Sequence, residues 1–103
     1  MSAMLHIINK SPSERSSLAS CLRLAEKGSS ILLIEDGVYA AMANSSFSDQ
    51  VLSRQNDFKF YVLHADLQAR GLSDVALIES VTPVDYERFV DLVIEHRASQ
   101  SWF

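Results

Sequence analysis

The sequence predicts a three-layer α/β/α domain, a mostly parallel sheet of about five strands with helices on both faces. Three observations predict it. Short apolar or β-branched runs of strand length recur along the chain, helix-patterned segments separate them, and one run, Ile31–Ile34, is apolar at every position. Continuous apolarity over so short a stretch marks a strand covered on both faces, and parallel strands need a crossover, usually helical, between them. At 103 residues the chain has the size of one domain, taken as 1–103, with no internal repeats or linkers.

Each element has its own signal. Met4–Ile8 is an apolar run ended by Asn9, Lys10, Ser11 and Pro12, a first strand followed by a turn. Ser11 is placed as an N-cap, Pro12 at the first helical position where its missing N–H costs nothing, and Glu14 where it completes a capping box. A helix is therefore expected from there, with Leu18, Cys21, Leu22 and Ala25 as its apolar stripe and Gly28 as its stop. Ser30–Ile34 is the central strand, ending at Glu35, Asp36 and Gly37. Val38–Ala43 is expected to be a short helix, broken near Asn44–Ser46, with a second helical piece over Phe47–Arg54.

Phe58–Leu63 is the next β-branched and aromatic run, followed by a short helix over Asp66–Arg70 that Gly71 terminates. Val75–Glu79 fits strand or turn, and Ser80–Val84 is the expected fourth strand, which Pro83 confines to an end or an edge. Asp85 caps a final helix to about His96, whose Tyr86, Phe89, Val90, Val93 and Ile94 are taken as one apolar face. Trp102 and Phe103 are expected in a last short strand or a subunit contact, because fraying would leave two large rings in water. Joined by right-handed crossovers, these elements compose a flavodoxin-like arrangement.

Composition excludes several function classes. The hydrophobic content of 48 %, with only 3 Gly and 2 Pro, belongs to an ordered chain. A formal charge of −4 without a basic block makes direct nucleic-acid binding unexpected. The apolar runs fall far short of the roughly 20 residues of a membrane-spanning helix, and Met1–Lys10 lacks the pattern of a secretory leader, so a cytoplasmic location is expected. The chain has no G-x-G-x-x-G, no Walker lysine motif and no G-x-S-x-G elbow, and its Cys and His residues have no metal-site spacing. Neither cofactor nor metal is expected.

Three sets of residues are candidates for chemistry. Cys21, the single cysteine, has two readings: a thiolate that accepts and passes on persulfide sulfur, or a small apolar residue packed on the stripe of its helix. Glu35 and Asp36 stand at the carboxyl end of a strand, where open α/β sheets place their ligands. They fit either a receiver-like phospho-acceptor or a plain strand-to-helix turn; a receiver also wants a lysine at a later strand end, and no lysine follows Lys59. Of the histidines, His6 is placed in the first strand and His96 at a helix end. His64, just beyond the third strand, is the best placed to meet a ligand or partner.

Four ordered segments carry a family resemblance: Leu5-His6 with Asn9-Lys10-Ser11-Pro12; Ile34-Glu35-Asp36-Gly37-Val38-Tyr39-Ala40-Ala41; Tyr61-Val62-Leu63 with Asp66-Leu67-Gln68-Ala69-Arg70-Gly71; and Val84-Asp85-Tyr86 with Phe89-Val90. Together with the terminal Trp102 they resemble the DsrH/TusB family nearly from end to end. The resemblance implies a DsrEFH-like fold and a cytoplasmic sulfur-relay assembly, α2β2γ2, of DsrEFH or TusBCD type. The partners it implies are DsrE/TusD-like and DsrF/TusC-like subunits and a DsrC- or TusE-like sulfur carrier. The principal sulfur-accepting cysteine of such an assembly resides on the DsrE/TusD-type subunit, so this chain is not expected to be catalytic alone.

Cys21, within Ser20-Cys21-Leu22, matches a cysteine of the DsrH branch that TusB-type chains commonly lack. That match points to sulfur oxidation, with Cys21 as an auxiliary sulfur acceptor. The alternatives are a TusB-like subunit serving 2-thiouridine synthesis on transfer RNA, and a stand-alone thiol sulfurtransferase using Cys21. An obligate subunit presents a sizeable apolar surface, for which Val38, Tyr39, Met42, Trp102 and Phe103 are the candidates.

Overall fold

Five parallel strands lie in the order β4-β3-β2-β1-β5 in the computed structural model, which describes residues 4–103. Met1–Ala3, part of the stretch inspected for a leader, lie outside the described residues. The strands are β1 Leu5–Ile8, β2 Ser30–Leu33, β3 Lys59–Leu63, β4 Val81–Val84 and β5 Ser99–Trp102. The helices are α1 Ser17–Leu24, α2 Ser48–Leu52, α3 His64–Ala69 and α4 Tyr86–Glu95, with a 3-10 helix over Glu35–Ala41. The parallel α/β sheet is the expected one. Its strand order is not the 2-1-3-4-5 of flavodoxin, because the last strand returns to pair with the first.

Order and handedness together decide where the helices lie. The first three crossovers all step the same way across the sheet, so right-handed connections put them on one face, and the fourth, which steps back, falls on the other. The core divides accordingly. Leu18, Cys21 and Leu22 of α1, Val38, Ala40 and Ala41 of the 3-10 helix, Val51 of α2 and Leu67 of α3 pack against Ile8, Ile31, Leu33, Phe60 and Val62. On the opposite face α4 alone, through Leu92 and the half-buried Phe89, packs against Leu5, Leu32, Leu63 and Val84.

Several element boundaries differ from expectation for identifiable reasons. Ser11 and Pro12 begin a turn, not a helix: the Ser11 hydroxyl accepts from the Ser13 backbone N–H at 3.3 Å, and its carbonyl accepts from Glu14 and Arg15. Helix α1 then starts at Ser17 without a side-chain cap and ends at Leu24, before Gly28. Gly28 sits in the following turn with φ +93, its N–H donating to the Asp57 carbonyl at 2.7 Å. A distant residue finishes α1 instead, since the Arg54 guanidinium donates to the Leu22 carbonyl at 2.6 Å and lies 4.9 Å from the centre of the Phe58 ring. Val75–Glu79, which by sequence fits strand or turn, contains an isolated antiparallel bridge between Leu77 and Met42, with the Ile78 N–H donating to the Ala41 carbonyl at 2.8 Å.

Two other signals act as expected. Asp85 caps α4 by accepting from the Arg88 N–H at 2.8 Å. Gly71, with φ +68, ends α3 in a Schellman motif in which Leu72 N–H donates to the Leu67 carbonyl at 2.8 Å and Gly71 N–H to that of Gln68 at 3.1 Å. Pro83 lies in β4, an edge strand, where a missing donor is tolerated.

The last strand is pinned to the first. Registers run from Leu5 opposite Ser99 to Ile8 opposite Trp102, and the Trp102 indole N–H donates to His6 Nδ1 at 3.0 Å. Burial lowers the His6 pKa from its ordinary 6.5, and a proton on Nδ1 would meet the indole donor. A group held neutral in the fold contributes stability that is complete above its unfolded value and lost as pH falls through its lowered folded value. Stability in urea is therefore expected to decline as pH drops below 6.5. His6→Gln should remove that part of the slope, and an unchanged slope in the variant would show that other groups carry it.

Candidate functional site

The carboxyl ends of parallel strands are where an open α/β sheet presents its loops, so Asn9, the Glu35–Gly37 turn and the start of α3 are the positions to inspect. After β2 the backbone turns abruptly: Glu35 has φ +49, the left-handed region that a residue with a Cβ seldom occupies. Its N–H donates to the Asp66 carboxylate at 2.7 Å. Two residues on, Gly37 passes so close to β1 that any Cβ there would collide with the Ile8 carbonyl oxygen. A turn that tight needs glycine for the approach and an acceptor for the N–H it diverts.

Arg70 completes the arrangement. Its guanidinium donates to Asp36 at 2.9 Å and to the Asp66 carbonyl at 3.2 Å. Thus the two segments Glu35-Asp36-Gly37 and Asp66-Leu67-Gln68-Ala69-Arg70-Gly71, separate in sequence, meet in one lock at the sheet edge. Both members of the ion pair are partly solvent-exposed, so it contributes at most about 1 kcal/mol. Its geometry engages Asp36 and leaves it poorly placed as a phospho-acceptor. Among the described residues no group of three or more His, Cys, Asp or Glu is positioned to hold a metal ion.

Beside the lock, Ser11, Ser13, Glu14, Asp36, Tyr39 and Met42 line part of an open cleft of about 520 Å³. Hydroxyls and carboxylates dominate its polar lining, and sulfur transfer needs a thiolate. The thiol is elsewhere. Cys21 is fully buried on the sheet-facing side of α1, and burial pushes its pKa up to about 12. Its surroundings in the isolated chain are those of a small apolar residue.

The remaining sequence candidates separate into core and surface. Val38 is fully buried in the main core, so its side chain is not available to a partner. Met42 is half-buried against the same core, and Trp102 is half-buried over His6. Tyr39 and Phe103 are exposed, Phe103 to 78 %. His64 is exposed as the first residue of α3, while His96 is buried, with Nδ1 2.6 Å from the Leu92 carbonyl and Nε2 2.8 Å from the Ser30 hydroxyl.

Helix α4 also carries exposed apolar residues. Tyr86, Val90, Val93 and Ile94 of α4 are exposed, Ile94 to 75 %, and they follow the i, i+4, i+7, i+8 spacing of one helix face. The inward face is a different one, formed by Phe89, Leu92 and His96. Helix α4 therefore has two apolar faces, which the sequence reading had merged into one. The usable signal was the count: more apolar positions than a single helix face can hold.

The chain is thus a parallel five-stranded α/β domain with a structural lock at its loop edge and an exposed apolar helix stripe on one face. The chain belongs to the DsrH-like family: the model described as DsrH like protein matches residues 10–99. It is 35 % identical over 99 residues to the protein named TusB of Shigella flexneri, covering 96 % of this chain and 100 % of that one. Protein TusB of Escherichia coli strain IAI1 matches with the same identity and coverage. Among solved structures the fold is similar to the Escherichia coli ychN protein, with TM-score 0.83 and 19 % identity, covering 98 % of this chain and 99 % of that one. It is also similar to MTH1491 of Methanobacterium thermoautotrophicum, described as a protein of unknown function, with TM-score 0.74, 21 % identity and 96 % of each chain covered.

The turn and the thiol each yield a test. Glu35→Asn should leave stability within about 0.5 kcal/mol, since Asn tolerates the left-handed region, while Glu35→Val should lose more than about 1 kcal/mol in chemical denaturation. Equal effects would mean that the backbone there is unstrained. Gly37→Ala should cost about 1–3 kcal/mol through the forced separation of β1 from the turn. Burial pushes the Cys21 pKa up to about 12, so at pH 8 the group is overwhelmingly the unreactive thiol. The native isolated chain should therefore resist iodoacetamide and react fully only in denaturant, and rapid native labelling would contradict its burial.

Proposed function

We propose that this chain is a non-catalytic subunit of a cytoplasmic sulfur relay of the TusB kind, contributing structure and docking to an assembly whose persulfide-bearing cysteine lies on a DsrE/TusD-like partner. The observation that carries this reading is the match to TusB proteins along essentially the whole chain. The burial of Cys21 supports it, because a sulfur acceptor must be reached by a donor and must ionise. Both points favour 2-thiouridine synthesis on transfer RNA over the sulfur-oxidation role that Cys21 had suggested. They also weigh against a stand-alone sulfurtransferase. A DsrF/TusC-like chain would complete the α2β2γ2 assembly, and a TusE-like protein would take the sulfur.

Docking follows from the apolar geography. The α4 stripe of Tyr86, Val90, Val93 and Ile94 is the best-supported contact surface, with Tyr39 and Phe103 as further exposed aromatics. Removing such a surface from water favours association by roughly 25 cal/mol per Å² before the entropic cost of binding is deducted.

Two experiments test the reading. Co-expression with TusC- and TusD-like chains from the same genome should yield a hexamer by native mass spectrometry. Val90→Glu with Ile94→Glu should abolish it while leaving the soluble subunit folded, since both side chains point outward. Deleting the gene should remove 2-thiouridine from transfer RNA, and the Cys21→Ala form should restore it. Failure of Cys21→Ala alone to restore the modification would return the thiol to the relay, and an unchanged 2-thiouridine level in the deletion would reject the transfer-RNA role.

A further inference from the structure

A second cleft, of about 470 Å³, lies away from the Glu35–Arg70 lock, where β5 extends past the cover of α1. Its floor is His6, Gln100 and Trp102, which project from the same side of β1 and β5, and its wall is the stretch from Leu24 to Ser29 that follows α1. Met4, Arg97 and Ala98 close one end. The family assignment and the TusB reading assign no role to this cleft.

Its polar groups are donors left without work. Because Trp102 donates to His6 Nδ1, the neutral imidazole carries its proton on Nε2, which has no partner among the described residues. Arg97 is exposed and forms no ion pair among the described residues. An imidazole N–H and a guanidinium on one cleft call for a ligand that brings acceptor oxygens.

Charge and shape narrow the class further. Glu26 on the wall offsets Arg97, so the lining is close to neutral, which suits a monoanion better than a phosphate dianion. The rest of the surface is Leu24, Ala25, Met4 and the Trp102 indole, suited to an aliphatic body. We propose that this cleft binds a small aliphatic monocarboxylate, its carboxylate on His6 Nε2–H and Arg97, and its chain against Leu24 and Trp102.

Trp102 is the single tryptophan of the chain, so its indole N–H resonance and its fluorescence both report on the cleft. Titration of the intact protein with 4-methylpentanoate should shift the indole signal saturably. The isosteric neutral amide, 4-methylpentanamide, and inorganic phosphate should each bind at least ~10-fold more weakly. Arg97→Ala should weaken the acid by a comparable factor while leaving the backbone amide spectrum of the strands intact. Equal binding of acid and amide, a preference for phosphate, an unsaturated response, or full affinity in Arg97→Ala would each overturn the proposal.

Discussion

Parallel pairing of all five strands, combined with the single hand of crossover connections, is the constraint from which the rest of this molecule follows. Three successive steps in one direction load α1, the 3-10 helix, α2 and α3 onto one face; only the returning step sets α4 on the other. A sheet of five strands spaced about 4.8 Å apart is roughly 20 Å wide, and one helix covers about 10 Å of it. One side is consequently a finished core and the other half-covered. The outward apolar residues of α4 and the half-buried Ile7 and Tyr61 on the same sheet face belong to this asymmetry. In a solitary protein they would be a solubility burden; in an obligate subunit they are where assembly begins.

The residues that look most like chemistry turn out mainly to maintain geometry. Asp36, Asp66 and Arg70 are charged, adjacent and at the edge where α/β enzymes act, yet each has a mechanical partner: a guanidinium, a diverted backbone N–H, a carboxylate with a helix carbonyl; Glu35 contributes only that backbone N–H, its exposed carboxylate forming no hydrogen bond among the described residues. Gly37 explains why the turn must be so tight, since the strand-to-helix transition passes directly over the end of β1. Clustering of charge at a sheet edge therefore identifies a site only when some group is left uncommitted. In the cleft over β1 and β5 such groups are His6 Nε2 and Arg97.

Strands were the most legible part of the sequence. The four apolar runs became β1 to β4 within about one residue, because a buried parallel strand admits little but apolar side chains, whereas β5, polar at Ser99, Gln100 and Ser101, was signalled only by its terminal ring. Asp85 and Gly71 were equally readable, as their local hydrogen bonds depend on neighbours in sequence alone. Ser11-Pro12 misled for the complementary reason: the same short-range bonds that cap a helix also make a turn, and only the distance from β1 to α1 decides between them. The finishing of α1 by Arg54 was out of reach, since it joins residues 32 apart in sequence. Val38 shows the limit for interface residues. An apolar side chain next to an exposed tyrosine reads as surface until the register of the 3-10 helix is known.

Cys21 carries a consequence for redox biology. Peroxide converts a thiolate, and hardly a thiol, to sulfenic acid, so susceptibility follows ionisation and access together. A sulfur atom enclosed between α1 and the sheet, with a pKa of about 12, meets neither condition. Under oxidative stress the single thiol of this polypeptide would therefore persist in its reduced form.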